Sequence, residues 1–393
     1  MLFRSLLALG RRDDAVRSYD QAIALQTEFA DAHYNRGVAL QELGRLEEAI
    51  GCYERALAIR HEMPAAHVNR ANALLALGLH QAALTGYDAA IALKPDFAQA
   101  LSNRGVALQR LGRPEEAIAS LERAIALDPR NPEAHANLGS VLHDLRRYRQ
   151  AIASHDRALA LAPDFVEALV NRGKAWQQLG QADEALACFD RVLALRPQHA
   201  DALVDRASIL KDLRLLEAAA GSYERALQVA PAYEYLSGTA LLTRMRLCDW
   251  RGYDDAVASL VTRIGQGEKV AHPFTLLACC DSPAVQGKAA AIYVPVRFPP
   301  DPSLGPLVAA RRAGHIRIGY YSADFRQHAV SSLVSELLEV HDRQRFEVVA
   351  FSFGPQGNDA MRRRIEADPA SPRYLLTVWG VGYRFLDAEP RPI

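Results

Sequence analysis

Asparagine recurs every 34 residues, at Asn35, Asn69, Asn103, Asn137 and Asn171, and Asp205 takes the sixth step. A primary amide carries one acceptor oxygen and two N–H donors, so it can pair with a peptide backbone in both directions whatever side chains that backbone bears. A row of such amides at equivalent rotations of successive helices is a sequence-tolerant way to hold an extended polypeptide. The alternative is that each asparagine bonds within its own hairpin. Arginine follows the amide at Arg36, Arg70, Arg104, Arg172 and Arg206, where it could support either role.

The elements that position this row share its period. Small residues fall at Gly37, Ala71, Gly105, Gly139, Gly173 and Ala207, and alanines at Ala49, Ala83, Ala117, Ala151, Ala185 and Ala219. Rings fall at Tyr53, Tyr87, His155, Phe189 and Tyr223, with Leu121 the exception. Proline closes units at Pro95, Pro129, Pro163 and Pro197, and Pro231 follows. Each unit has two amphipathic halves, such as 98–111 and 114–127. Gly112 stops the first half and Pro129 the second. A fixed period of this length marks a helical solenoid, whose hairpins must stack because none buries its apolar face alone. Six complete units start at Ala30, Pro64, Ala98, Pro132, Val166 and Ala200. Residues 1–29 fit the same template without its first five positions, so a start further upstream is expected. The pattern resembles the tetratricopeptide (TPR) family, which implies a mainly α superhelix with the first helix of each hairpin lining a concave groove.

Composition narrows the function classes. Lys and Arg total 46 against 46 Asp and Glu, which argues against nucleic-acid or membrane binding driven by bulk charge. Five scattered cysteines with no pairing pattern read as reduced, hence a cytoplasmic protein. No CxxC or HxxxH pair suggests a metal. The opening MLFRSLLALG keeps repeat register and reads as helix rather than signal peptide. No apolar run reaches the roughly 18 residues of a membrane span.

After Pro231 the period stops. Residues 233–310 keep a helical pattern through Leu260 and then turn irregular and proline-rich, which reads as a helical adaptor and a linker. His315–Ser322 and Phe346–Phe353 are β-rich, and Val330–His341 between them has helical spacing. That order implies a right-handed parallel βαβ unit. Here the chain resembles the protein O-GlcNAc transferase family in its bacterial, SPINDLY-like form. The residues carrying the likeness are LCDWRGYD (247–254), HPFTLLACCDSP (272–283), RIGYYSADFRQHAVSSL (317–333) and FEVVAFSFGP (346–355). The resemblance implies a pair of Rossmann-like lobes that move GlcNAc from UDP-GlcNAc to Ser or Thr of proteins, and an asparagine ladder that engages those acceptor proteins. It also places His328 near the sugar–acceptor junction as a candidate base, with Asp324 as its acidic partner. A histidine between a strand end and a helix also serves simply as a local hydrogen-bonding residue.

The chain departs from that family in length, because only 77 residues follow Ile316. Two nucleotide-binding lobes need roughly 100–150 residues each, and too few remain. No GxGxxG or GxxxxGK[ST] stretch offers a phosphate cradle. Residues 361–385 resemble instead the end of a response-regulator winged-helix domain, with YLLTVWGVGYRF as its wing hairpin, and MRRRIEA fits both families. The expected organisation is a TPR array over 1–232, an adaptor and linker over 233–310, an incomplete βαβ fragment over 311–366 and a wing-like hairpin over 367–393. A chimera or truncation is expected, without a cofactor. Its expected function is capture of extended protein segments without catalysis. The alternative is protein O-GlcNAc transfer with UDP-GlcNAc as donor. Membrane and nucleic-acid partners are not expected.

Overall fold

The computed structural model describes residues 11–299 in full and, beyond them, the backbone of three strands at 316–322, 346–352 and 375–377. Two compact units divide the chain, Met1–Pro300 and Asp301–Ile393. Seventeen helices occupy the described part of the first unit. Helix α1 (Arg12–Leu25) is the second helix of a partial repeat. Six hairpins follow: α2 (Ala30–Glu42) with α3 (Leu46–Ile59), α4 (Pro64–Ala76) with α5 (His80–Leu93), and α6 (Ala98–Arg110) with α7 (Pro114–Leu127). The array continues with α8 (Pro132–Asp144) and α9 (Tyr148–Leu161), α10 (Val166–Gln178) and α11 (Ala182–Leu195), and α12 (Ala200–Asp212) and α13 (Leu216–Val229). The first helices are all 13 residues long and the second helices all 14, as the unbroken register requires.

The turn inside each hairpin needs one residue in the left-handed region. Gly44, Gly78, Gly112 and Gly180 supply it at φ 70–77°, but Arg146 (58°) and Arg214 (64°) hold the same place in the fourth and sixth repeats. The turn is closed the same way in each case, as by Arg147 N–H donating to Leu142 O at 2.8 Å and Leu215 N–H to Leu210 O at 2.9 Å. A side chain there costs about 1–2 kcal/mol, while glycine's looser unfolded state costs about 0.5–1 kcal/mol. Steric relief wins. Arg146→Gly and Arg214→Gly should each raise the urea unfolding free energy by about 0.5–1 kcal/mol, and an unchanged midpoint would refute this reading.

Within each hairpin the small residue and the ring form one contact. A Cβ added at Gly37 would sit 2.7 Å from Tyr53 Cε1, and one at Gly105 would sit 2.6 Å from Leu121 Cγ. The glycine therefore makes room for the ring of the facing helix. Tyr53, Tyr87, Leu121, His155, Phe189 and Tyr223 are all fully or almost fully buried, as are the alanines from Ala49 to Ala219 that share the 34-residue step. Each buried apolar ring contributes on the order of 2 kcal/mol. His155 is the one ring of this row with two polar atoms, and both lie buried without a hydrogen-bond partner.

After α13 the chain passes through Tyr235, itself left-handed at φ 61°, into α14 (Leu236–Arg246), α15 (Tyr253–Gly265), α16 (Pro273–Leu276) and α17 (Pro283–Arg297). Leu241, Leu260, Ile264, Val270, Ala271, Leu276 and Ala289 form their core. The proline-containing stretch holds more helix than its composition suggests. Pro283 sits in the first turn, where its missing N–H costs nothing, and Ser282 caps that turn by accepting from Val285 N–H.

In the second unit, β1 (Ile316–Ser322) and β2 (Phe346–Ser352) pair in parallel with Ile316 opposite Phe346, and β3 (Leu375–Thr377) pairs in parallel on the far side of β2. The helix expected over 330–341 and, apart from β3, the hairpin expected over 367–393 lie outside the described residues.

Candidate functional site

Successive first helices pack against one another along the array, and successive second helices make no comparable contact. The first helices therefore lie on the inner side of the curve. Each of the five asparagines is the sixth residue of its first helix, so the row expected from the spacing runs along this inner side. All five are half-buried.

The amide hydrogens are already partly committed. Asn69 Nδ2 donates to Tyr34 Oη at 3.0 Å, Asn103 Nδ2 to Asn72 Oδ1 at 2.8 Å, and Asn137 Nδ2 to Ser102 Oγ at 3.4 Å. Each acceptor belongs to the first helix of the preceding repeat. Asn35 Nδ2 instead donates to Asp31 O of its own helix at 2.6 Å. Asn171 makes no hydrogen bond to any described residue. The three middle asparagines thus brace neighbouring repeats, which neither reading of the spacing foresaw. The carbonyl oxygen of each has no donor among the described residues. Asp205 ends the row differently. Its Oδ2 lies 3.7 Å from Lys174 Nζ, and burial pushes its carboxyl above the usual range although the lysine pulls the other way.

The arginines have a structural task. Arg36, Arg70, Arg104, Arg172 and Arg206 each pair with an acid sixteen residues earlier, on the second helix of the preceding repeat: Asp20, Glu54, Asp88, Asp156 and Asp190, at 2.6–2.8 Å. The fourth repeat has Leu138 in place of the arginine, and it packs into the core instead. The acids keep the same 34-residue step, with Glu122 as the member facing Leu138, so this ladder was readable in advance. Each pair is partly exposed and contributes no more than about 1 kcal/mol.

Other polar residues on the inner side escaped sequence reading. Between α4 and α6 an open hollow is lined by Asn72, Leu75, Ala76, His80, Asn103, Val106 and Arg110. Asn72 Oδ1 accepts twice, from Tyr87 Oη at 2.6 Å and from Asn103 Nδ2.

His328 and Asp324 lie outside the described residues. Among the described residues, no three His, Cys, Asp or Glu side chains converge as metal ligands, and no helix is long and apolar enough to cross a membrane.

Tetratricopeptide-repeat models match residues 1–64, 72–112, 110–146, 134–165 and 166–199, and a model of glycosyl transferase family 41 matches residues 306–373. No curated protein matches the chain. Among solved structures, the Cut9–Hcn1 hetero-tetramer of the APC/C is 19% identical over 61% of this chain, with a TM-score of 0.53, a likeness of fold. This chain spans 47% of that one. The type IV pilus biogenesis factor PilW is 25% identical over 54% of this chain and 98% of its own, with a TM-score of 0.51. A thermophilic TPR protein of Thermus thermophilus is 30% identical over 46% of this chain and 98% of its own, with a TM-score of 0.41. With tetratricopeptide-repeat models matched between residues 1 and 199 and six helical hairpins in one unbroken register, this chain carries an array of tetratricopeptide repeats.

Proposed function

We propose that the repeats capture extended protein segments along their inner side, with Asn35, Asn69, Asn103, Asn137 and Asn171 holding the main chain of the guest. The observation that carries this reading is the state of the amide oxygens: none of the five accepts a hydrogen bond from a described residue, although three of the amides are braced through nitrogen. A half-buried carbonyl left open at a constant step suits the N–H groups of an extended chain. The bracing then aids binding, because an oriented amide loses little freedom when the guest arrives. The reading treats residues 1–232 as the binding array, 233–310 as adaptor and linker, 311–366 as a βαβ fragment and 367–393 as a hairpin, in a cytoplasmic protein. The test is backbone methylation of a dodecapeptide selected on the full chain. N-methylation through the bound stretch should abolish capture, and capture that survives it would sink the proposal.

A second reading is protein O-GlcNAc transfer, favoured by the family 41 match over 306–373. It would use His328 as the base and Asp324 as its partner, with UDP-GlcNAc as donor. Calorimetry with UDP and a radiolabelled transfer assay on the full chain separate the two. Binding without catalysis predicts no micromolar UDP site and no transfer. Turnover that is lost in His328→Ala would establish the second reading instead.

A further inference from the structure

The fourth hairpin, α8–α9, departs from the pattern of the array at several places. Leu138 stands where the ladder has arginine, so Glu122 on α7 has no ion-pair partner among the described residues. Arg146 holds the left-handed turn position at φ 58°, where a side chain is strained. His155 takes the ring position with both nitrogens buried and unpartnered. His143 Nε2 on α8 is orphaned too, as is Trp176 Nε1 on α10, whose indole packs with Leu142, Ala151 and Ile152. The sixth hairpin also lacks the turn glycine, at Arg214, yet it keeps Arg206 on Asp190 at 2.6 Å. Elsewhere in the ring row, Tyr53 Oη donates to Gln41 Oε1 at 2.9 Å and Tyr87 Oη to Asn72 Oδ1 at 2.6 Å. Ser140 holds the place of Asn72 in the fourth hairpin, but it accepts from Gln109 at 3.1 Å instead.

We infer that α8–α9 is an acid-operated joint: the array opens there first, as a local unit, when His155 takes up a proton. Local opening of this kind starts where buried polar groups lack partners and tertiary links are fewest. The ring lies flat on Gly139, where an added Cβ would come within 2.6–2.8 Å of Cε1, Nε2 and Nδ1 alike. His143 on α8 and Arg172 on α10 face it, and behind them stand Asp144, Lys174 and Asp156. None of these receives an imidazolium. Asp156 is held by Arg172 at 2.7 Å, Asp144 accepts from Gln109 at 2.6 Å, and Lys174 and Arg172 are themselves cations. A buried charge without a counter-charge is costly, so the protonated ring leaves for water, and it can do so only if α9 lifts off α8. Opening there divides the asparagine row between Asn103 and Asn171, because Asn137 stands on α8. Release of a guest by acid follows only if the row is the clamp proposed above. The joint itself does not rest on that reading.

The experiment is amide hydrogen exchange, read by mass spectrometry on the full chain without guest at pH 7 and pH 5, with each rate divided by that of an unfolded chain at the same pH. The ring titrates near 4 when closed and near 6.5 when open, so the open state alone binds the proton between those values. Protection of amides in 132–161 should therefore fall about twentyfold between the two conditions, while the hairpins over 64–127 and 166–195 lose far less. His155→Phe and His155→Leu copy Phe189 and Leu121, which hold the same position against Gly173 and Gly105. Each should abolish the fall, so the test stands if one of them fails to fold. Protection lost evenly over all six hairpins, a fall centred on another hairpin, or a fall that persists in either variant would overturn the joint.

Discussion

The unfolding free energy should fall by about 3 kcal/mol through His155 alone as the pH drops from about 7 to about 4, and His155→Phe should remove that component. The imidazole is fully buried in α9 against Gly139, where a Cβ would lie 2.6 Å from its Cε1. Burial is the main cause that pushes its pKa down to about 4, and the neighbouring His143 and Arg172 push the same way. Arg172 is itself bridged to Asp156 at 2.7 Å, and the His143 ring packs edge-on to Tyr148 with Asp144 beside it. The folded pKa lies below the unfolded value of about 6.5. Between pH 6.5 and 4 the unfolded chain therefore binds the proton and the folded chain does not, so stability rises with pH across that window and is lost as pH falls through it. A gap of this size corresponds to about 3 kcal/mol. Asp205, whose pKa is raised by burial, contributes with the opposite sign, so the difference between natural and variant curves is the quantity to measure. Phe189 occupies the same place against Gly173 in the next repeat, so a phenyl ring fits this geometry. It also removes two buried nitrogens without partners, which should stabilise the variant by about 1–3 kcal/mol at pH 7. Urea titrations at pH 7, 5.5 and 4.5 that gave parallel curves for the two proteins would refute the assignment.

Changing Asn69, Asn103, Asn137 and Asn171 together to alanine should weaken capture of a groove-bound peptide by about a thousandfold while the array stays helical. Each lost pairing costs on the order of 1 kcal/mol, and four together cost about 4 kcal/mol, or three powers of ten in Kd. The single variants separate binding from bracing. Asn69, Asn103 and Asn137 each tie two repeats through their nitrogen, so their removal should lower stability as well as affinity. Asn171 has no partner among the described residues to lose, and Asn171→Ala should reduce affinity about fivefold with an unchanged unfolding midpoint. A variant at 171 that binds as well as the natural chain, with stability losses confined to the other three, would return the row to a purely structural role.

The repeat architecture was legible because its causes are local and recur. Helix length follows from the spacing of apolar residues, which repeats six times in register, and from the glycine or proline that ends most of the halves. The small-residue and ring rows were legible for the same reason, since helices of fixed length can meet only at fixed positions. Of the second unit, the two apolar runs around Ile316 and Phe346 and their parallel pairing were also readable, whereas the pairing of Leu375–Thr377 with β2 was not. Helix α17 was hidden because the run of prolines that begins at Pro295 reads as a breaker, although the helix carries Pro295 in its last turn and ends only at Arg297.

The sequence by itself thus determined the solenoid, its register and the equivalence of the asparagines along one side. Tertiary structure alone decided how their hydrogen-bonding capacity is divided. The Nδ2 groups reach the preceding repeat because stacking brings residues 31 to 35 positions apart into contact, a distance set by the rise and rotation between hairpins. The same stacking encloses Asn72, His80, Asn103 and Arg110 around one hollow and seals His155 from water. Those arrangements depend on how one hairpin sits on the next, and that packing is a sum over many weak contacts that no single residue type announces.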